Sequence, residues 1–119
     1  MRIMQSFRYA MRGLCTAYRE ERQMKIHTAA AGLAVMCGVI AELSSAEWAV
    51  LVLVIALVIA LELVNTATER VVDMVTAEYH PLAEKAKDVA AGAVLVASIA
   101  AVVVGICLFA PRVIEWIGD

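Results

Sequence analysis

The sequence predicts an all-α membrane protein: an N-terminal amphipathic helix lying on the membrane surface, then three transmembrane helices. Two observations carry this. The 119 residues are 63% hydrophobic with a mean hydropathy of +0.82, more apolar than soluble domains are. The apolar residues are also gathered into three separate, nearly uncharged stretches of the size that spans a bilayer. The length allows one domain, residues 1–119, and the net charge of −2 decides nothing by itself.

Residues 1–25 read as the surface helix. Ile3, Phe7, Met11, Leu14 and Tyr18 recur at helical steps and form one apolar stripe, with Arg8, Arg12 and Arg19 on its flank, placed to meet lipid phosphates. Those arginines interrupt the apolar core that a signal peptide requires. The stripe continues to Glu21, a carboxylate that needs a partner.

The first span is predicted over residues 26–42, short of a full crossing unless it borrows a turn from each flank. ELSSAE follows, a tight connection that makes a hairpin with the second span, residues 48–64. The second span continues as a helix into the segment 65–88, where Pro81 breaks it and Ala83 to Asp88 start a new helix that runs into span three. That third span, residues 89–110, is uncharged throughout.

Lys and Arg orient the chain. Arg2, Arg8, Arg12, Arg19, Arg22 and Lys25 precede the first span, and Arg70, Lys85 and Lys87 lie between the second and third; the hairpin turn has none and the tail only Arg112. The positive-inside rule then puts the N-terminus and the 65–88 segment in the cytoplasm and the C-terminus outside.

The segment ELVNTATERVVD, residues 62–73, places Glu62, Asn65, Glu69 and Asp73 three, four and four residues apart, on one helix face. Glu69 and Asp73 repel unless a cation sits beside them. Glu62 lies deeper, at a membrane depth where a carboxylate is costly and is usually functional. A polar stripe thus descends from the cytoplasm into the bilayer. Asp73 is equally well read as a solvated helix end. Lys87 suits either a membrane anchor or a site residue, and Tyr79 and His80 are as ambiguous by themselves.

No phosphate-binding GxxxxGK[ST] loop, GxGxxG turn, HxxxH or CxxC pattern occurs. Cys15, Cys37 and Cys107 are widely spaced, two of them within spans, and read as small apolar residues. Nothing suggests nucleic-acid binding.

The runs YREERQMKIH, ELVNTATERVVD and EYHPLAEKAKDVAAGAV together resemble the small integral-membrane lipid kinases of bacteria, the diacylglycerol and undecaprenol kinase family, from about Phe7 to Phe109. The resemblance implies an ATP- and Mg2+-dependent lipid kinase in the bacterial inner membrane, assembled as a homotrimer with active sites shared between subunits. It implies that Glu62 is the catalytic acid/base acting on the hydroxyl of a membrane lipid alcohol. Glu69 and Glu21 would hold the metal, Glu20 being the alternative to Glu21. Asn65, Lys87 and Asp88 would contact the nucleotide or order the site. Glu78, Tyr79 and His80 would line the adenosine side, with Arg2 and Tyr9 reaching it from the N-terminal helix. Pro81, and Ala91 where diacylglycerol kinases tend to carry serine, resemble the undecaprenol branch. These roles agree with the chemistry: magnesium asks few carboxylates of a protein, and phosphoryl transfer asks for positioning and charge neutralisation. A small proton-coupled transporter also uses one intramembrane glutamate, but normally inside the first of four spans; a purely structural membrane subunit is the other alternative.

Overall fold

The computed structural model describes residues 2–118; Met1 and Asp119, the ends of the predicted 1–119 domain, lie outside the described residues. Four helices follow one another: α1 (Arg2–Glu20), α2 (Arg22–Ile40), α3 (Ser45–Val75) and α4 (Pro81–Gly118). The last three are long and apolar enough to cross a membrane. At 1.5 Å per residue α2 measures about 28 Å, α3 about 46 Å and α4 about 57 Å. Only α2 matches the roughly 30 Å hydrocarbon core; α3 and α4 must project well beyond it.

A single extended residue, Glu21 (φ −109°, ψ 119°), separates α1 from α2. Its N–H still donates to Ala17 O at 2.9 Å, so the chain turns without losing the hydrogen bond that closes α1. The first span therefore gains its missing turn on one side only, starting at Arg22 and stopping at Ile40, two residues before the predicted end.

The hairpin turn explains that early stop. Glu42 adopts φ 54°, its N–H reaches Val39 O at 3.3 Å, and the Leu43 N–H reaches Gly38 O at 3.3 Å. This is a Schellman ending, with a glutamate where glycine is the usual residue. A non-glycine residue in that conformation costs roughly 1–2 kcal/mol. Ser44 then caps α3: its hydroxyl accepts from Glu47 N at 3.2 Å while Glu47 Oε1 accepts from Ser44 N at 3.0 Å, a capping box that satisfies two orphan donors.

Residues 76–80 join α3 to α4. Pro81 does not interrupt a helix but begins one, because the first helical position needs no N–H partner. His80 caps the new helix, its Nδ1 accepting from Leu82 N at 3.1 Å. At the far end α4 continues past the predicted limit at residue 110 and through Pro111 to Gly118. There Arg112 ties the helix down, donating to Leu108 O at 2.7 Å, to Ala41 O at 3.0 Å and to both Glu47 carboxylate oxygens at 2.9 Å.

α3 and α4 pack most extensively, while α1 touches α2 and α3 only lightly. The small core, Ala41, Leu43, Leu51, Val54 and Leu108, gathers near the hairpin turn with Trp48 and Phe109 against it. Most other large apolar side chains, Leu33, Leu53, Val96 and Val103 among them, face outward.

Candidate active site

At the end of the bundle opposite the turn, α3 carries three buried polar side chains within two turns. Glu62 is 3% exposed, Asn65 9% and Thr66 7%. Burying such groups is costly unless they are paired. Yet neither Asn65 Oδ1 nor the Thr66 hydroxyl has a hydrogen-bond partner. Glu62 faces His27 of α2, whose Nε2 lies 3.6 Å from Glu62 Oε2.

The face predicted from the spacing is present. Asn65 Nδ2 donates to Glu69 Oε1 at 3.4 Å, and Asp73, exposed one turn further on, accepts from Lys87 Nζ at 2.7 Å. That hydrogen bond to Asp73 holds the Lys87 ammonium above its usual pKa. Asp73 thus gains a role that the sequence left open: it parks the lysine of α4 against the stripe of α3.

Glu21 reaches the same region from the α1–α2 junction. Its Oε1 accepts from Arg70 Nη2 at 3.2 Å, while Glu20 Oε2 meets Arg70 Nη1 at 3.0 Å. Both glutamates, Glu20 foremost, raise the Arg70 guanidinium above its ordinary value. Glu21 and Glu69 both lie near enough to act on the charge of Glu62. No cluster of three His, Cys, Asp or Glu side chains forms a ready metal site among the described residues. The oxygens on offer are all hard donors: the Glu69 carboxylate, the unpartnered Oδ1 of its neighbour Asn65, and the Glu21 carboxylate, which Arg70 holds. This set fits magnesium, which takes one or two carboxylates and completes its shell with water and phosphate.

A cleft of about 350 Å3 between the end of α3 and the start of α4 is lined by Asp73, Glu78, Tyr79, His80, Lys87 and Asp88. All five α4-side residues singled out in the sequence therefore share one cavity. Tyr79 is anchored at its rim, its hydroxyl donating to Glu84 Oε2 at 2.7 Å, which raises the phenol above its ordinary value. The two α1 residues stand apart. Tyr9 lines a second cleft with Thr66 and Arg70, and Arg2 lies exposed in the first turn of α1.

Sequence reasoning missed His27 and Arg70 as partners of site carboxylates. Arg70 follows Glu69 directly, but its bond to Glu21 joins residues 49 positions apart, which no local pattern reveals.

The profile described as prokaryotic diacylglycerol kinase matches residues 8–109. An undecaprenol kinase of Bacillus subtilis is 43% identical over 111 residues, covering 93% of this chain and 90% of that protein. A diacylglycerol kinase of Synechocystis is 45% identical over 114 residues, covering 95% of this chain and 65% of that protein. A diacylglycerol kinase of Escherichia coli is 34% identical over 102 residues, covering 86% and 84%.

Proposed function

This chain belongs to the prokaryotic diacylglycerol kinase family, and from that premise we propose that it transfers the γ-phosphoryl group of ATP to the hydroxyl of undecaprenol, giving undecaprenyl phosphate. The transporter and structural-subunit alternatives fall with family membership. The observation that carries the reading is a carboxylate, Glu62, buried at the foot of a polar stripe whose far end, Asp73, lines a cleft at the bundle end.

Glu62 takes the proton as the lipid O–H bond breaks. The freed oxygen pair forms the new bond to the γ-phosphorus, the bond from that phosphorus to the β–γ bridging oxygen breaks, and ADP leaves with that electron pair. Glu69, Glu21 and the Asn65 carbonyl oxygen would hold magnesium, which when bound neutralises phosphate charge. Lys87, released from Asp73, supplies a second positive charge to the phosphates, and Asp88, Glu78, Tyr79 and His80 line the nucleotide side. Arg2 and Tyr9, the other two residues proposed for the nucleotide, stand apart from this cleft on α1. Positioned charge of this kind is most of what phosphoryl transfer needs.

The same reading places α1 on the cytoplasmic membrane surface, the α3–α4 connector in the cytoplasm and the C-terminus outside. A homotrimer with shared sites rests on the family resemblance, and the sparse core and outward apolar faces of a single chain are compatible with it. Undecaprenol is favoured by Pro81 and Ala91 in the first turns of α4; the near-equal identities to an undecaprenol kinase and a diacylglycerol kinase keep diacylglycerol as the second acceptor. The test is phosphate transfer from Mg-ATP to undecaprenol and to diacylglycerol side by side in mixed micelles. Faster transfer to undecaprenol is expected. Faster transfer to diacylglycerol reassigns the acceptor, and transfer to neither overturns the reading.

A further inference from the structure

A carboxylate that must accept a proton from a substrate hydroxyl has two oxygens, and catalysis improves if one is held while the other is left free. Glu62 has Asn65 beside it on its own helix and, from α2, His27, whose Nε2 lies 3.6 Å from Oε2. That separation is slightly too long for a hydrogen bond. Such contacts commonly tighten when substrate arrives.

The surroundings of His27 leave it little else to do. Its side chain is only 19% exposed. It also lines an apolar groove of about 300 Å3 between α2, α3 and α4, where Ser98 is the only other polar side chain. The α2 residues that line the groove below it are Ala30, Ala31 and Ala34, none of which offers the ring a hydrogen bond. An imidazole in such a place needs a polar partner, and Glu62 lies within reach.

We propose that His27 is a positioning residue for Glu62: its Nε2–H holds Oε2 and so turns Oε1 toward the lipid hydroxyl. This rests on the assignment of Glu62 as the base. The ring touches neither phosphate nor metal in this scheme. It acts only through the carboxylate it orients.

The test compares His27→Leu, His27→Gln and His27→Asn in the purified full-length protein, with Mg-ATP and undecaprenol or diacylglycerol, whichever the wild type phosphorylates. Gln places an amide N–H near the position of Nε2, whereas Asn is too short to do so. His27→Leu and His27→Asn are expected to lose about ten- to a hundred-fold in kcat, as orienting partners do, with the KM for ATP unchanged. His27→Gln should stay within a few-fold of wild type. Because Gln and Asn are both polar, the comparison survives if the leucine variant fails to fold. Wild-type kcat in His27→Asn, or a glutamine variant as slow as asparagine, overturns the proposal. Glu62→Gln assayed beside them separates the two ideas: if it is slow while all three His27 variants match wild type, only the role of His27 fails, and if it is fully active the base assignment fails first.

Discussion

Replacing Glu62 with glutamine tests the centre of the mechanism, because the fold leaves no substitute base on its helix face. The next carboxylate along that face, Glu69, is seven residues on, about 10 Å along the axis, and Asp73 is about 16 Å away. Neither can reach the same hydroxyl. Glu62→Gln keeps the shape of a side chain that is 3% exposed, so the fold should survive while the proton acceptor is lost. General-base catalysis contributes about 10²- to 10⁴-fold, which corresponds to about 3–5 kcal/mol of barrier. Glu62→Asp is the finer probe. It keeps the charge but withdraws the oxygens by about 1.5 Å, one C–C bond, enough to cost about a hundred-fold. Initial rates of phosphate transfer at saturating ATP and magnesium measure both. A glutamine variant within ten-fold of the wild-type kcat, or one altered in KM for ATP alone, would refute the reasoning.

The metal ligands should declare themselves in the magnesium dependence: Glu21→Gln and Glu69→Gln each raise the concentration for half-maximal rate about ten-fold or more, and ordinary titrations in both variants would remove them. Lys87→Met should raise the KM for ATP by losing a phosphate partner, with the kcat for the lipid less affected; an unchanged KM leaves Lys87 as a mere partner of Asp73. At the hairpin, Gly38→Ala and Glu42→Gly should act in opposite directions on the melting temperature. A Cβ on Gly38 would stand 2.7 Å from Trp48 Cη2 and 3.0 Å from Leu43 Cδ1, an overpacking of about 1–3 kcal/mol, whereas Glu42→Gly relieves the φ of 54°. Shifts of the same sign in both variants would contradict the Schellman ending. The Arg112 hydrogen bond, helped by the Ser44 cap, lowers Glu47 from 4.5 to about 2. A depressed carboxylate stabilises the fold above its unfolded pKa and loses that contribution as pH falls through the folded one. The difference in melting temperature between wild type and Glu47→Gln should therefore be constant above about pH 5 and shrink between pH 4.5 and 2.

The four helices and the Glu62 stripe were legible in the sequence because both are local patterns. Apolar length marks a span, and three- and four-residue spacing marks a helix face. The helix ends were less so. The early stop at Ile40 depends on Glu42 adopting a conformation that its residue type disfavours. The passage of α4 through Pro111 comes with a guanidinium that is bonded to Leu108 O and to the turn of another helix.

What the sequence alone determined, then, is a membrane protein with a buried carboxylate at the end of its second span, since hydropathy and helical periodicity act over neighbouring residues. Only the tertiary structure decided the partners: His27 for Glu62, Lys87 for Asp73, Arg70 for Glu20 and Glu21, and Arg112 for Glu47. Each of these pairs joins different helices or a helix and its junction. Charges find such partners by distance in space, and a chain read one residue at a time does not contain that distance.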